Sequence, residues 1–395
     1  MQEKSDETSE VRTISLTDPQ RSAVEQNNDF AFDLYRKINA SDDLKGKSSV
    51  VSPLSVTYVM GMLNAGATGQ TSSEITRVLG FGQDDKNSVN ELCKVLLENS
   101  PYLDADVSLR VADMLVTNQP VSLSYDYSKT LTDYYDADVS ALRFESAEAV
   151  QYVNDWCSRQ TEGKIPSIVE SLNGSMALFN AVYFKAPWSG KFNASDTHEE
   201  LFSCEDGTQT MASMMHRCDL CYYCQGESFA TLGLPYGNGK NWMMYVLLPN
   251  EGQTVDGIVS RLTAESWKSC VEGMSRGAVP VDVKLPRFKA QSEVMLNDIL
   301  KQMGAGAMFQ PRKEFSLMTA QDNDLFVGMV KQKAAIEVTE EGTEAAAVTA
   351  AIMYTSTGQD TEMQMLEFHA TRPFAYLIQE KTTGAVFFIG TYRGE

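Results

Sequence analysis

Hydrophobic positions fall along this chain in short runs of two kinds, one with the period of a strand and one with the period of a helix. Residues 178–188, Leu-Phe-Asn-Ala-Val-Tyr-Phe-Lys-Ala-Pro-Trp, are nearly continuous in apolar side chains, too short for most helices and rich in strand formers, which predicts a central strand buried on both faces. Residues 107–118 alternate as a half-buried strand does, and 231–236, 242–249, 279–288 and 386–390 read as further strands. Helical spacing appears at Phe30, Leu34 and Ile38, with Asn28 or Asp29 able to cap. Ser48 to Val51 reads as a short buried strand that runs into a helix with Ser52 at the cap and Pro53 at its first position, continuing through Met60 to Ala65 and stopping at Gly66. Thr71-Ser72-Ser73-Glu74 carries a capping box for a helix that ends at Leu79-Gly80. Residues 88–99, 152–165 and 296–303 complete the predicted helices.

One stretch fits neither period as a core element. Glu340-Glu341-Gly342-Thr343-Glu344-Ala345-Ala346-Ala347-Val348-Thr349-Ala350-Ala351 opens a segment that reaches Arg372 with no clear element, long enough to imply a function. Read with period two, Thr343, Ala345, Ala347, Thr349 and Ala351 share one small, uncharged face. Glu344, Ala346, Val348 and Ala350 share the other, which carries the one charge and is expected to face water. An Ala-rich helix over 341–347 is the alternative, and length does not decide between the two.

Composition changes the picture mainly by exclusion. The chain has 395 residues, of which 43% are hydrophobic and 22% charged, with no linker or internal repeat to divide them, so one large soluble domain over 1–395 is expected. A formal net charge of -20 argues against nucleic acid and anionic membranes, which need a basic face. No apolar run approaches the roughly 20 residues of a bilayer span, and residues 1–20 read as a polar tail. The seven cysteines are odd in number and lack the spacing of a disulfide scaffold. Cys218-x-x-Cys221-x-x-Cys224 with His216 nearby raises zinc, but on a strand positions three apart point to opposite faces, so these thiols do not converge and no metal is expected. The three histidines, His198, His216 and His369, lie among turn or strand residues, and no nucleophile elbow, phosphate loop or His-Glu-x-x-His motif marks an enzyme.

The hinge decides what spacing leaves open. Lys333-Ala334-Ala335-Ile336-Glu337-Val338 followed by Glu340 to Ala347 resembles the hinge of an inhibitory serpin, and Phe368 to Phe374 resembles that family's C-terminal signature. The likeness extends along nearly the whole chain. It implies a single-domain α+β serpin fold, helices packed around three β-sheets, with hinge and exposed reactive loop at 340–371. It also implies a suicide-substrate inhibitor, not an enzyme: a protease cuts the loop, and the loop then inserts as a strand of the large sheet with the acyl-enzyme attached. By the same resemblance Ser52, Ser55 and Asn180 form a latch under the sheet, with Gln332 where the family usually has a histidine, and Trp188 marks where the loop enters. Glutamine does not titrate near neutrality, so the pH sensitivity of that histidine is expected to be absent. Counting as the family does, the reactive bond is Ser356-Thr357, with Tyr354 and Thr355 as alternatives.

No Arg or Lys lies between Glu344 and Thr371, which disfavours a trypsin-like target and suits elastase-like, subtilisin-like or chymotrypsin-like serine proteases, or a papain-like cysteine protease. Lys94 between Glu91 and Glu98 does not make the basic helix that binds polysaccharide in several serpins, so a monomer without cofactor is expected. A secreted or cell-envelope location fits the polar start, with the cytoplasm as the alternative. A non-inhibitory carrier, storage protein or chaperone of the same fold is the second reading; such members tend to carry charged, bulky or proline residues where this chain has Thr343, Ala345 and Ala347.

Overall fold

A computed structural model of the chain describes residues 12–82, 86–274, 277–321, 323–343 and 365–394. In chain order the strands are β1 Ser49–Val51, β2 Ser108–Asn118, β3 Asp138–Leu142, β4 Met176–Pro187, β5 His198–Ser203, β6 Gln209–Gln225, β7 Phe229–Tyr236, β8 Trp242–Pro249, β9 Val279–Pro286, β10 Phe288–Met295, β11 Val327–Thr339, β12 Gly342–Thr343, β13 Leu366–His369, β14 Phe374–Glu380 and β15 Val386–Tyr392. The helices are α1 Asp18–Asn39, α2 Pro53–Gly66, α3 Gly69–Val78, α4 Lys86–Asn99, α5 Tyr125–Tyr135, α6 Ala147–Gln160, α7 Val255–Arg261, α8 Ala264–Met274 and α9 Asn297–Met303. The arrangement is α+β, as expected from the sequence.

The sheet that matters here has the order β10-β11-β12-β4-β2-β3. Beside β12, β11 and β4 also pair directly, and in parallel, from Val327↔Met176 to Ala335↔Tyr183. Their other neighbours, β10 and β2, are antiparallel to them. A parallel seam therefore runs down the middle of an antiparallel stretch, and parallel pairing is slightly the weaker per residue. The apolar run of β4 is buried from Met176 to Phe184 because both faces are covered. Leu178, Val182, Phe184 and Ala186 enter the main core with α2, while Ala177, Phe179 and Ala181 join Met329 of β11 beneath Val153 and Trp156 of α6.

Several local expectations are corrected. The first helix is capped at Thr17 and not at Asn28 or Asp29, because Thr17 accepts from the Gln20 backbone while the Gln20 side chain accepts from the Thr17 backbone. Residues 12–20 are accordingly no free tail: Ile14 and Leu16 are buried in the core. The capping box at Thr71 and Glu74 does not form; Thr71 donates to Glu314, Glu74 accepts from the Ala307 backbone, and α3 already begins at Gly69. Within the expected hinge and loop region 340–371, Gly342–Thr343 is the strand β12 and Leu366–His369 is the strand β13, parallel to β9.

Candidate functional site

Above Ala335↔Tyr183 the strands β11 and β4 separate, and the two-residue strand β12 occupies the gap. Thr343 stands opposite Val338 on one side and Ala186 on the other, while Gly342 faces Thr339 and Pro187. The uncut chain thus already holds the first residues of the hinge between the central strands. Close approach explains the glycine: a Cβ on Gly342 would lie 2.2 Å from the Ala186 carbonyl oxygen, and its φ of 136° disfavours any side chain.

Thr343 is fully buried, and its hydroxyl shares a 2.7 Å hydrogen bond with the phenol of Tyr236. Burial pushes the Tyr236 phenol well up, so this partner stays neutral. Trp188 stacks on the same Tyr236 ring at 4.3 Å and donates its indole N–H to the Thr339 carbonyl. Its backbone N–H donates to the Glu341 carbonyl, so Trp188 holds the turn at both ends. Glu340 is clasped by the Arg287 guanidinium at 2.7 and 2.8 Å and by Thr197, and Glu341 pairs with Lys191 at 2.7 Å. Burial works against the Glu340 charge, but Arg287 and Thr197 outweigh it and hold the carboxyl below its usual range.

Lower on the seam the structure joins Ser52, Ser55, Asn180 and Gln332 in one buried chain of hydrogen bonds. The Gln332 amide accepts from the Ser52 backbone N–H at 3.0 Å and donates to the Ser52 carbonyl at 2.8 Å and to Asn180 Oδ1 at 3.1 Å. Ser52 and Ser55 share a hydroxyl contact of 2.8 Å. An amide, which both donates and accepts, can fill this position.

Sequence reasoning missed one member. Asn180 donates to Asp113 of β2 at 2.8 Å, and the second Asp113 oxygen is buried with no hydrogen-bond partner among the described residues. Burial pushes the Asp113 carboxyl up to about 7, against the opposing pull of Asn180. Tyr236, Arg287, Thr197 and Lys191 were missed too, because only tertiary pairing brings them to the hinge. Glu344, Ala345, Ala346 and Ala347, and the proposed cut at Tyr354, Thr355, Ser356 and Thr357, lie outside the described residues.

A family model described as "Serpin (serine protease inhibitor)" matches residues 25–393. Serpin B3 of Homo sapiens is 31% identical, over 94% of this chain and 99% of that protein. The leukocyte elastase inhibitor of Xenopus tropicalis is 30% identical, over 92% and 97%. Among solved structures, the thermophilic serpin tengpin in its native state superposes with a TM-score of 0.84 at 25% identity, over 98% of this chain and 96% of that one. Human thyroxine-binding globulin gives a TM-score of 0.84 at 25% identity, over 94% and 98%.

Proposed function

The chain belongs to the serpin family, and from that premise we propose that it inhibits serine endopeptidases as a suicide substrate, with the cut loop completing the strand that β12 begins. The observation that carries this reading is the seating of Gly342 and Thr343 at the head of the parallel seam. If the present register continues, the sixth residue after Thr343 lies six positions back from both Ala186 and Val338. Thr349 then stands between Asn180 and Gln332, parting the two amides and offering a hydroxyl in exchange. By the same count Met353 reaches Met176, the start of β4, so about ten residues beyond Thr343 fit.

That register also accounts for the other face. Glu344 would lie at the top between Lys185 and Glu337, whereas Val348, Ala350 and Ile352 would lie against Ala181, Phe179 and Ala177, under α6. Only the head of that face meets water, which suits one charge followed by apolar residues. Two antiparallel ladders would replace one parallel ladder, and about ten net hydrogen bonds at about 1 kcal/mol each give on the order of 10 kcal/mol before packing. In the uncut chain the loop stays joined to Leu366–His369, so descent must drag that end along, which keeps the starting form kinetically trapped.

The absence of Arg and Lys between Glu344 and Thr371 and the small residues Thr355 and Ser356 favour elastase-like or subtilisin-like targets, with Tyr354 open to a chymotrypsin-like or papain-like cut. Incubation with a panel of such proteases, denaturing gels and mass spectrometry of the released peptide test the reading. A complex that survives denaturation is expected, together with a peptide beginning at Thr357. The likeness to thyroxine-binding globulin favours a second reading, a carrier of the same fold; loop cleavage by every enzyme of the panel without any covalent complex would support it.

A further inference from the structure

Parity removes Cys221 from any site with Cys218, and six residues of extended strand carry Cys224 away from it, but the same parity builds another. His216 and Cys218, two apart on β6, share a face, and β9 sets Asp282 opposite Cys218. His216 Nε2 lies 2.6 Å from Asp282 Oδ1, the Cys218 thiol lies 3.7 Å from the same oxygen, and all three ligand atoms are within 4.8 Å of one another. From the far side β13 brings His369, whose Nε2 lies 3.0 Å from Asp282 Oδ2, and sets Glu367 opposite Asp282 in register. The neighbouring cation, Lys284, is engaged by both oxygens of Glu200 at 2.8 Å. Cys218 is exposed, and His216, Asp282 and His369 keep between 24% and 38% of their side chains accessible, so an ion can reach the group from solvent.

We propose that His216, Cys218 and Asp282 bind one Zn²⁺ or a similar borderline divalent cation, with His369 holding the second Asp282 oxygen or supplying the fourth ligand. Imidazole, thiolate and carboxylate are the zinc donor set. Bond lengths of about 2.0–2.3 Å in a tetrahedron place ligand atoms about 3.3–3.6 Å apart. The observed separations bracket that range, and side-chain shifts on the order of 1 Å would admit the ion. On binding, Cys218 loses its proton to solvent and the His216–Asp282 hydrogen bond opens toward the metal. The ion would join β6, β9 and, through His369, β13, the strand by which the chain leaves the loop segment.

The test uses the reduced, metal-free full chain. Titrations with Zn²⁺ against a chromophoric chelator are expected to show one equivalent bound, and Co²⁺ to give a thiolate-to-metal charge-transfer band. Cys218→Ser and His216→Ala should each weaken Zn²⁺ binding by about 100-fold or more, with loss of the cobalt band in Cys218→Ser. His369→Ala should cost about 10- to 100-fold. Cys221→Ser and Cys224→Ser should bind as the parent does. Zn²⁺ should also raise the melting temperature of the parent and leave that of Cys218→Ser unchanged, a readout that depends on folded protein in both. Failure of the parent to bind, or undiminished binding by Cys218→Ser and His216→Ala, would overturn the assignment.

Discussion

Thr343 is where the account is most exposed to a single substitution. Its side chain is already enclosed, with Tyr236 as its hydrogen-bond partner and Val338 and Ala186 on either side. An arginine there must either bury an unpaired guanidinium, at a cost of several kcal/mol, or expel the hinge from the gap. A barrier raised by about 3 kcal/mol slows insertion by more than a hundredfold, and deacylation then releases the protease. Thr343→Arg is therefore expected to be cleaved as a substrate, while Glu344→Arg, between Lys185 and Glu337 in the continued register, should inhibit nearly as the parent does. Stoichiometry of inhibition checks this pair; equal impairment would refute the alternation of faces. Gly342 and Thr343 were legible because they match the hinge of the family, where Thr343 opens the small, uncharged face. Arg287, Thr197 and Tyr236, which hold them, were not, since nothing local separates a hinge-binding arginine from one on any strand.

At the scale of elements, the latch under the seam has a titrating member in Asp113 despite the glutamine at 332. Its pKa is raised from 3.8 to about 7 by burial, so across that window the native state keeps a proton that the unfolded chain has lost. Stability from this group is complete below the unfolded value and falls as pH rises through the window. Above about pH 7 a buried carboxylate is ionised with one oxygen unpaired, a loss on the order of 4 kcal/mol. Asp113→Asn is expected to melt higher than the parent at pH 8.5 and to lose most of that advantage by pH 4.5. Parallel melting curves across that range would show that Asp113 does not titrate there. The sequence hid this residue because one charge in an alternating strand reads as a solvent position. The burial of β4 was legible, since a run over 178–184 that is apolar on both faces but for Asn180 fits a strand covered on both sides. The start of α1 was misread because its capping pair, Thr17 and Gln20, lies among polar residues that precede the apolar stripe.

For the molecule as a whole, the sequence expectation of a large sheet with a central strand at 178–188 holds, and the structure adds that this strand, β4, is the parallel neighbour of β11 and is parted from it at the head by β12. Specificity and insertion then depend on different parts of the chain. Ser356→Arg should direct inhibition to trypsin-like proteases while leaving insertion intact, since the tenth residue after Thr343 already reaches Met176, the first residue of β4. A variant that gains no trypsin inhibition, with its cut mapped elsewhere, would show the register of the reactive bond to be wrong. The central claim, that the cut loop descends the seam between β4 and β11, is tested most directly by amide hydrogen exchange on the intact and loop-cleaved chain. Cleavage should raise protection in Met176–Pro187 and Val327–Thr339 together and make residues 344–353 slow to exchange. Unchanged exchange in both strands, with 344–353 exchanging freely after the cut, would contradict the account.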